Sequence, residues 1–360
     1  MVEFGAVKNK VTVELLTARE RENWDNYVQG HPQATLAHLS GWKDIIEAAY
    51  GHPTYYLLAK RRLAHNGEEV AGILPLVHLR HLVFGNHLIS MPYLDTGGAL
   101  AEDSRIAEAL GAEAVEIGRS LKVDDIELRC RAGHHRLQNG TRRQDQKVSL
   151  LLDLPASPDT LWDSFKSKLR SQIRKPLKQG LEKKIGGAEL LPHFYEVFAR
   201  NMRDLGSPVH SRGLLERVLS TFGPQARLIL IYRGRKPVAG GLLIRAGKVL
   251  ANPWASSLRE YSALSPNMLL YWAMLEYGCN QGGAAFDMGR SSPGEGTYRF
   301  KKQWGAREVP LEWQYIRLGS ALPGAGVEKN RYRKVMQYWQ KMPVPLSKML
   351  GPMVRKHIGL

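Results

Sequence analysis

Gly282-Gly283-Ala284-Ala285-Phe286-Asp287-Met288-Gly289-Arg290-Ser291-Ser292-Pro293-Gly294-Glu295-Gly296-Thr297-Tyr298-Arg299-Phe300-Lys301-Lys302-Gln303-Trp304-Gly305 is the stretch that decides the fold. An apolar run, Gly282 to Phe286, ends in an acid and a glycine. A loop holding Gly294, Glu295 and Gly296 follows, then an aromatic-lysine pair and an aromatic-glycine pair. A buried strand that delivers polar groups to its carboxyl end and opens into a Gly-rich loop is where open α/β sheets place ligands.

Working outward, the order of elements is written twice. In the first half, Val11 to Leu15 alternates as a strand, and Ala18 to Tyr27 and Ser40 to Tyr50 have helical spacing, with Ser40 as N-cap. Tyr55 to Ala59 and Val70 to Leu79 read as a β-pair turned at Asn66-Gly67. Leu88 to Pro92 leads into the loop Asp95-Thr96-Gly97-Gly98, then a helix over 104–121 and a strand over 123–129. In the second half, 190–205 and 214–222 are helical, and 227–232, 239–245 and 248–255 are strands. A helix opens at Ser265-Pro266, Ser as N-cap, before strands at 284–288 and 311–318. Between the halves come a strand, 148–154, and a basic helical segment, 159–181, where Phe165, Leu169, Ile173, Leu177 and Leu181 form one apolar stripe. Pro176 is expected to kink or end that helix near Lys175. A duplicated α/β unit is the expected fold class.

The run FDMGRSS…GTYRFKKQWG (286–305) resembles the Fem-type acyltransferases, and most closely the FemAB-like branch found with exosortase/PEP-CTERM systems. Pro75-Leu76…Phe84-Gly85…Ser90-Met91-Pro92-Tyr93…Asp95-Thr96-Gly97-Gly98 resembles the first-domain signature of that branch. Tyr332-Arg333-Lys334…Tyr338-Trp339-Gln340-Lys341-Met342-Pro343…Gly351-Pro352 looks like its tail, so the likeness spans nearly the whole chain. It implies an α/β (α+β) architecture of two tandem GNAT-like domains, each a mixed sheet flanked by helices. The expected divisions are 1–147, 148–320 and a basic tail, 321–360. It also implies an N-acyltransferase that moves an acyl or aminoacyl group onto an amine. The donor would be aminoacyl-tRNA or acyl-CoA, and the acceptor an amino sugar or a lipid-linked precursor, linked to exopolysaccharide. Where Arg290 stands, peptidoglycan-modifying Fem enzymes often carry a second glycine, which turns the likeness away from ordinary cell-wall substrates.

Acyl transfer passes through an oxyanion and needs a cation or N–H donors beside it. In the family, the Phe-Lys pair matched by Phe300-Lys301 is associated with catalysis, so Lys301 is the candidate cation. Asp287, at a strand end, either pairs with Arg290 or Arg299 and orients the amine, or caps the loop. Arg290, Ser291 and Arg299 suit a phosphate or carboxylate. The family also makes Tyr93 and Asp95 candidate substrate contacts, and a plain strand-ending turn accounts for them equally. The Arg/Gln-x-x-Gly-x-Gly/Ala loop that binds CoA pyrophosphate has no counterpart at Leu258 to Pro266, which lacks glycine. Neither a metal-ligand spacing among the histidines, nor a Ser-His-Asp or Cys-His context, nor a Walker loop is present in the sequence.

A net charge of +17 points to an anionic ligand because it is clustered: 165–184 holds eight Lys/Arg against Glu182, and 328–360 eight against Glu328. Arg170 and Arg174 are therefore candidate substrate contacts on a basic rail, with a solvated surface helix as the plain alternative. A non-catalytic module binding RNA or anionic glycan through the same cleft is the rival function. Met1 to Lys10 lacks the apolar core of a secretory signal, no apolar stretch reaches membrane-helix length, and two cysteines build no disulfide framework. A cytoplasmic protein is expected, with peripheral membrane contact by the tail as a further possibility and packing of the tail on its own domain preferred.

Overall fold

The computed structural model of the chain describes residues 11–62, 67–135, 137, 141–144, 147–319 and 329–359. Met1 to Lys10, Asn66 of the expected turn, and the side chains of Tyr332, Arg333 and Lys334 fall outside the described residues.

The strands are β1 (Val11–Leu15), β2 (Thr54–Arg62), β3 (Glu68–His81), β4 (Gly85–Ile89), β5 (Leu100–Ala101), β6 (Asp125–Arg131) and β7 (Thr141–Gln144). The series continues with β8 (Val148–Asp153), β9 (Leu181–Gly186), β10 (Ala226–Arg233), β11 (Lys236–Ala246), β12 (Val249–Ser257), β13 (Ala285–Ser291) and β14 (Arg307–Arg317). The helices are α1 (Arg21–Gly30), α2 (Gly41–Tyr50), α3 (Ser104–Ser120), α4 (Pro158–Ser164), α5 (Ser167–Lys178) and α6 (Leu191–Asp204). After them come α7 (Arg212–Phe222), α8 (Pro266–Asn280), α9 (Gly296–Lys302), α10 (Lys329–Lys341) and α11 (Val344–Arg355). The repeat is complete in the pairing. β1-β2-β3-β4 is antiparallel and ends in β6, parallel to β4; β9-β10-β11-β12 is antiparallel and ends in β13, parallel to β12.

The two sheets are not separate, as the duplicated pattern alone suggests. Each half sends its last strand to the other. β8 follows the first half in sequence yet pairs with β13, and β14 follows the second half yet pairs with β6. β8 and β14 also pair with each other, from Arg307↔Leu151 to Pro310↔Val148. Among the described residues one continuous fourteen-stranded sheet results, with the same strand order on either side of the seam.

Alternation along the strands sorts the core. Leu58 and Leu230 enter one cluster that both halves share, built on α1, α2, α6 and α7. Their neighbours Leu57 and Ile229 face the opposite side, against α3 in the first half and α4, α5 and α8 in the second. Trp42 bridges the shared cluster, with ring centroids 5.3 Å from Phe222 and 6.4 Å from Trp254.

Several local expectations are corrected. Ser40 sits in helical backbone and its hydroxyl donates to Asp25 rather than capping α2. Ser265 precedes α8 but makes no capping bond. The basic segment is two helices and a strand: Leu181 lies in β9, and Leu177 is half exposed while Phe165, Leu169 and Ile173 are buried. Pro176 does not stop α5, which runs to Lys178. So close to the helix end, the proline forfeits only one amide bond, and Gly180 (φ 77°) makes the turn. Phe300 and Lys301, which follow the glycine-bearing loop, lie on the short helix α9.

Because β6 is completed only by β14, residues 1–147 expressed alone should not fold, and the intact chain should unfold in one calorimetric transition. A fragment with a cooperative melt of its own would contradict this.

Candidate active site at the seam

The site grows from a break in the sheet. β12 and β13 pair only from Val249↔Ala285 to Ala251↔Asp287, although β12 continues to Ser257 and β13 to Ser291. Beyond Asp287 the two strands part. On the other flank, the β13–β8 register slips between Asp287 and Arg290, with Gly289 at φ 75°, where a side chain is strained. A cavity of about 80 Å³ opens there, lined by Thr35, Tyr93, Asp95, Asn252, Asp287 and Gly289 among others.

Asp287 closes this bulge. Its Oδ1 accepts from the Gly289 amide (2.8 Å) and from the Ser149 hydroxyl of β8 (2.8 Å). Its Oδ2 takes a short bond from Arg131, at the end of β6 in the first half. The expected partners, Arg290 and Arg299, are therefore replaced by Arg131, which sequence position alone hid because it lies 156 residues away. The ion pair is largely buried, with side chains 13% and 15% exposed.

The bulge turns two carbonyls toward Lys301. Its ammonium donates to Gly289 O at 3.1 Å and Arg290 O at 3.0 Å, and the residue is only 8% exposed. Burial lowers its pKa to about 8; Asp95 and Asp287 pull it back up and Arg290 pushes it further down. A Cβ at Gly289 would stand 3.5 Å from Asp95 Oδ2 and 3.9 Å from Lys301 Nζ, so this glycine lies between the carboxylate and the cation.

Asp95 comes from the first half, on a loop where Met91 (φ 60°) and Tyr93 (φ 72°) adopt left-handed backbone, a conformation that costs non-glycine residues on the order of 1 kcal/mol or more. Arg129 holds the loop: its guanidinium donates to Leu94 O (2.6 Å) and Met91 O (3.2 Å), and its carbonyl accepts from the Gly97 and Gly98 amides. Asp95 Oδ2 accepts from the Arg290 amide (3.1 Å), and Oδ1 pairs with Arg290 Nε (3.2 Å). Trp313 of β14 lies between Arg129 and Arg290, their guanidinium carbons 4.6 Å and 5.1 Å from its ring, and its indole donates to Asp95 O (3.2 Å).

The structure thus brings together Lys301, Asp287, Arg290 and Asp95 from the sequence reading, and adds Arg131, Ser149, Arg129 and Trp313. Arg129 was legible only as the end of the strand over 123–129, and Arg131 lay beyond that expected strand, which the structure extends to it. The remaining candidates stand elsewhere. Phe300 packs on Tyr271 (4.9 Å) in a cluster with Trp304 and Phe165, and so fixes α9. Ser291 is buried and turns its hydroxyl to Arg290 O. Arg299 is exposed on α9. Tyr93 borders the cavity, but its hydroxyl donates to Lys356 O of the tail. Arg170 lies 3.6 Å from Asp163, and Arg174 stacks over Trp162 at 5.0 Å. Lys302 points away, toward Glu308 (3.3 Å). Among the described residues no His/Cys/Asp/Glu group is arranged to hold a metal ion.

Residues 163–302 match a family model described as an acetyltransferase (GNAT) domain. No curated protein sequence matches the chain. Among solved structures, FemX is similar over 86% of this chain and 98% of its own, with a TM-score of 0.66 at 17% identity. A tandem GNAT protein from the clavulanic acid biosynthesis pathway covers 87% of this chain and all of its own (100%), with a TM-score of 0.55 at 12% identity. L-PGS from Bacillus licheniformis covers 96% of this chain and 98% of its own (TM-score 0.54, 12% identity). The chain is a mixed α/β protein with the tandem GNAT fold. Within it, residues 163–302 are the part that matches the GNAT acetyltransferase model.

Removing the Asp287 carboxylate strands a buried guanidinium. Asp287→Ala should therefore lower stability by about 3–5 kcal/mol, and Ser149→Ala by about 1 kcal/mol. Urea unfolding measures both; equal, small effects would mean that Asp287 does not hold the seam.

Proposed function

We propose that the chain is an N-acyltransferase whose reaction centre is the Lys301 ammonium at the parting of β12 and β13. The observation that carries this reading is the spent and unspent hydrogen-bonding capacity of that group. A lysine ammonium has three donors. Two are taken by Gly289 O and Arg290 O, so one N–H remains for the oxygen of a reacting carbonyl. The acceptor amine attacks the donor's carbonyl carbon, forming a C–N bond. The carbonyl oxygen becomes negative beside Lys301, and the C–O bond of an ester or the C–S bond of a thioester then breaks. Asp95, half-buried and facing the Lys301 side of the bulge, takes the proton the amine sheds and returns it to the departing oxygen or sulfur, which leaves as an alcohol or thiol. Asp287, already saturated by Arg131, Ser149 and Gly289, holds the bulge rather than reacting.

In this reading the FemAB-like form extends to the exosortase-associated branch, with aminoacyl-tRNA or a CoA thioester as donor and an amino sugar or lipid-linked precursor as acceptor. The divisions 1–147, 148–320 and 321–360, a cytoplasmic location, and the contacts of Arg290, Ser291, Arg299, Tyr93, Arg170 and Arg174 with substrate belong to the same proposal. The match of residues 163–302 to the GNAT model supports the acyl-transfer chemistry; the donor is identified by the ligand, among tRNA, acetyl-CoA and longer acyl-CoAs, that raises the melting temperature.

With that donor, Lys301→Ala should lower turnover by roughly 10²–10³ while leaving KM nearly unchanged, because the charge is needed mainly when the oxygen becomes negative. Lys302→Ala removes the same charge one residue away and should have little effect. Equal, small losses for both variants would remove Lys301 from the reaction.

The lowered pKa sets the pH profile. The ammonium is the working form, so turnover should fall as pH rises through about 8, far below the ordinary lysine range. Stability runs the other way. Between about 8 and the unfolded value the unfolded chain binds the extra proton, so the wild type should gain stability with rising pH relative to Lys301→Met. Urea midpoints for the two proteins at pH 7.5 and pH 10 test the sign.

A further inference from the structure

The tail does pack on its own protein, yet it leaves an apolar front uncovered. On α11, Ser347 and Gly351 are buried, and a Cβ at Gly351 would meet Val209 at 3.0 Å. Leu346, Met349 and Met353 follow a different stripe at helical spacing and are exposed, Met349 and Met353 by 61% and 63%. Val335 and Tyr338 are exposed on α10.

A second apolar projection comes from a remote part of the chain. Leu82, Val83 and Phe84 form the turn between β3 and β4, and Leu82 is wholly exposed. The two projections meet. His81, at the foot of the turn, packs against His357, just beyond α11, with ring centroids 4.3 Å apart; Phe84 lies 4.9 Å from His81. Met353 lies four residues before His357, so the end of the stripe lies near the foot of the turn. Arg80 and Lys341 are exposed, and the sequence of 328–360 carries eight Lys/Arg with Glu328 as its only acid. Two of these are engaged within the protein, Lys348 with Glu196 and Arg355 with His210. Among the described residues, no helix is long and apolar enough to cross a membrane.

We propose that this front docks the protein on the surface of an anionic phospholipid bilayer, lying on it without spanning it. Exposed apolar patches of this kind mark interaction surfaces, and a protruding turn with a fully exposed leucine suits a fluid layer that closes around it better than a rigid partner. The flexible Met, Leu and Tyr side chains would enter the acyl boundary while the flanking cations meet lipid phosphates. The front also adjoins the reaction centre. Lys356 O accepts from the Tyr93 hydroxyl, and Gly359 O accepts from the Tyr93 amide at 2.6 Å, on the loop that carries Asp95. The inference stands apart from the acyl-transfer reading, since surface binding needs no reaction.

Flotation of the full chain with vesicles tests it. The protein should float with phosphatidylcholine–phosphatidylglycerol vesicles, sink with phosphatidylcholine alone, and detach as salt rises. The pair Leu82→Asp with Val83→Asp, and separately Met349→Asp with Met353→Asp, should each cut the partition coefficient by about tenfold or more, because each places two charges in the acyl boundary. These side chains are exposed, so the melting temperature and circular dichroism should not change, and turnover with a soluble donor–acceptor pair should persist. Indifference to phosphatidylglycerol, or full binding by both pairs, would overturn the proposal. Dimers in sedimentation that both pairs dissolve would overturn it too, in favour of a second copy as the occupant.

Discussion

The exchange of β8 and β14 is the constraint on which the rest of the structure depends. Each half supplies the strand that completes its twin, so the parallel strands β6 and β13, whose carboxyl ends carry the charged groups, face each other across two shared strands. The Arg131–Asp287 pair spans that seam, Ser149 joins it from β8, and Trp313 of β14 reaches the Asp95 loop of the first half. The site is therefore a property of neither half. Separating the halves would dismantle the ion pair, the bulge it closes and the loop opposite at once.

That arrangement also explains how a lysine survives in a buried place. An ammonium taken from water is costly unless its donors and its charge are met. Here the bulge offers two carbonyls, and two carboxylates stand near enough to favour the charged form without pairing with it directly. The remaining penalty appears as a pKa near 8. Arg290 contributes to the same balance: it neutralises Asp95 and opposes Lys301, which keeps the cation from being locked in a salt bridge.

The C-terminal segment plays a further structural part. Tyr93 sits in left-handed backbone, and its amide and hydroxyl both find acceptors in residues 356–359, beyond α11. Arg355 lies over the Tyr93 ring (5.9 Å) and reaches His210, whose pKa burial drives far down, keeping it neutral. The tail thus clamps the loop that presents Asp95 and ties the second half to the first through a contact outside the shared strands.

How much of this the sequence determined follows from the range of the forces. Periodicity is local, so the repeated order of helices and strands and the strand that carries Asp287 were legible in the sequence, and the resemblance carried by residues 286–305 implied the tandem GNAT architecture. Asp287 and Arg290 were legible as polar groups at a strand end, Lys301 and Asp95 through the resemblance to the Fem-type family. Their partners were not. Asp287 chose Arg131 over the nearer Arg290 because a register slip in β13 and the crossing of β14 decide which guanidinium arrives, and neither leaves a mark in spacing. Ser40 and Leu181 were misread for the same reason: a distant Asp25 bond and a strand pairing with β10 overrode local preference. Composition and pattern set which groups are buried, while long-range pairing across the seam decided which of them meet.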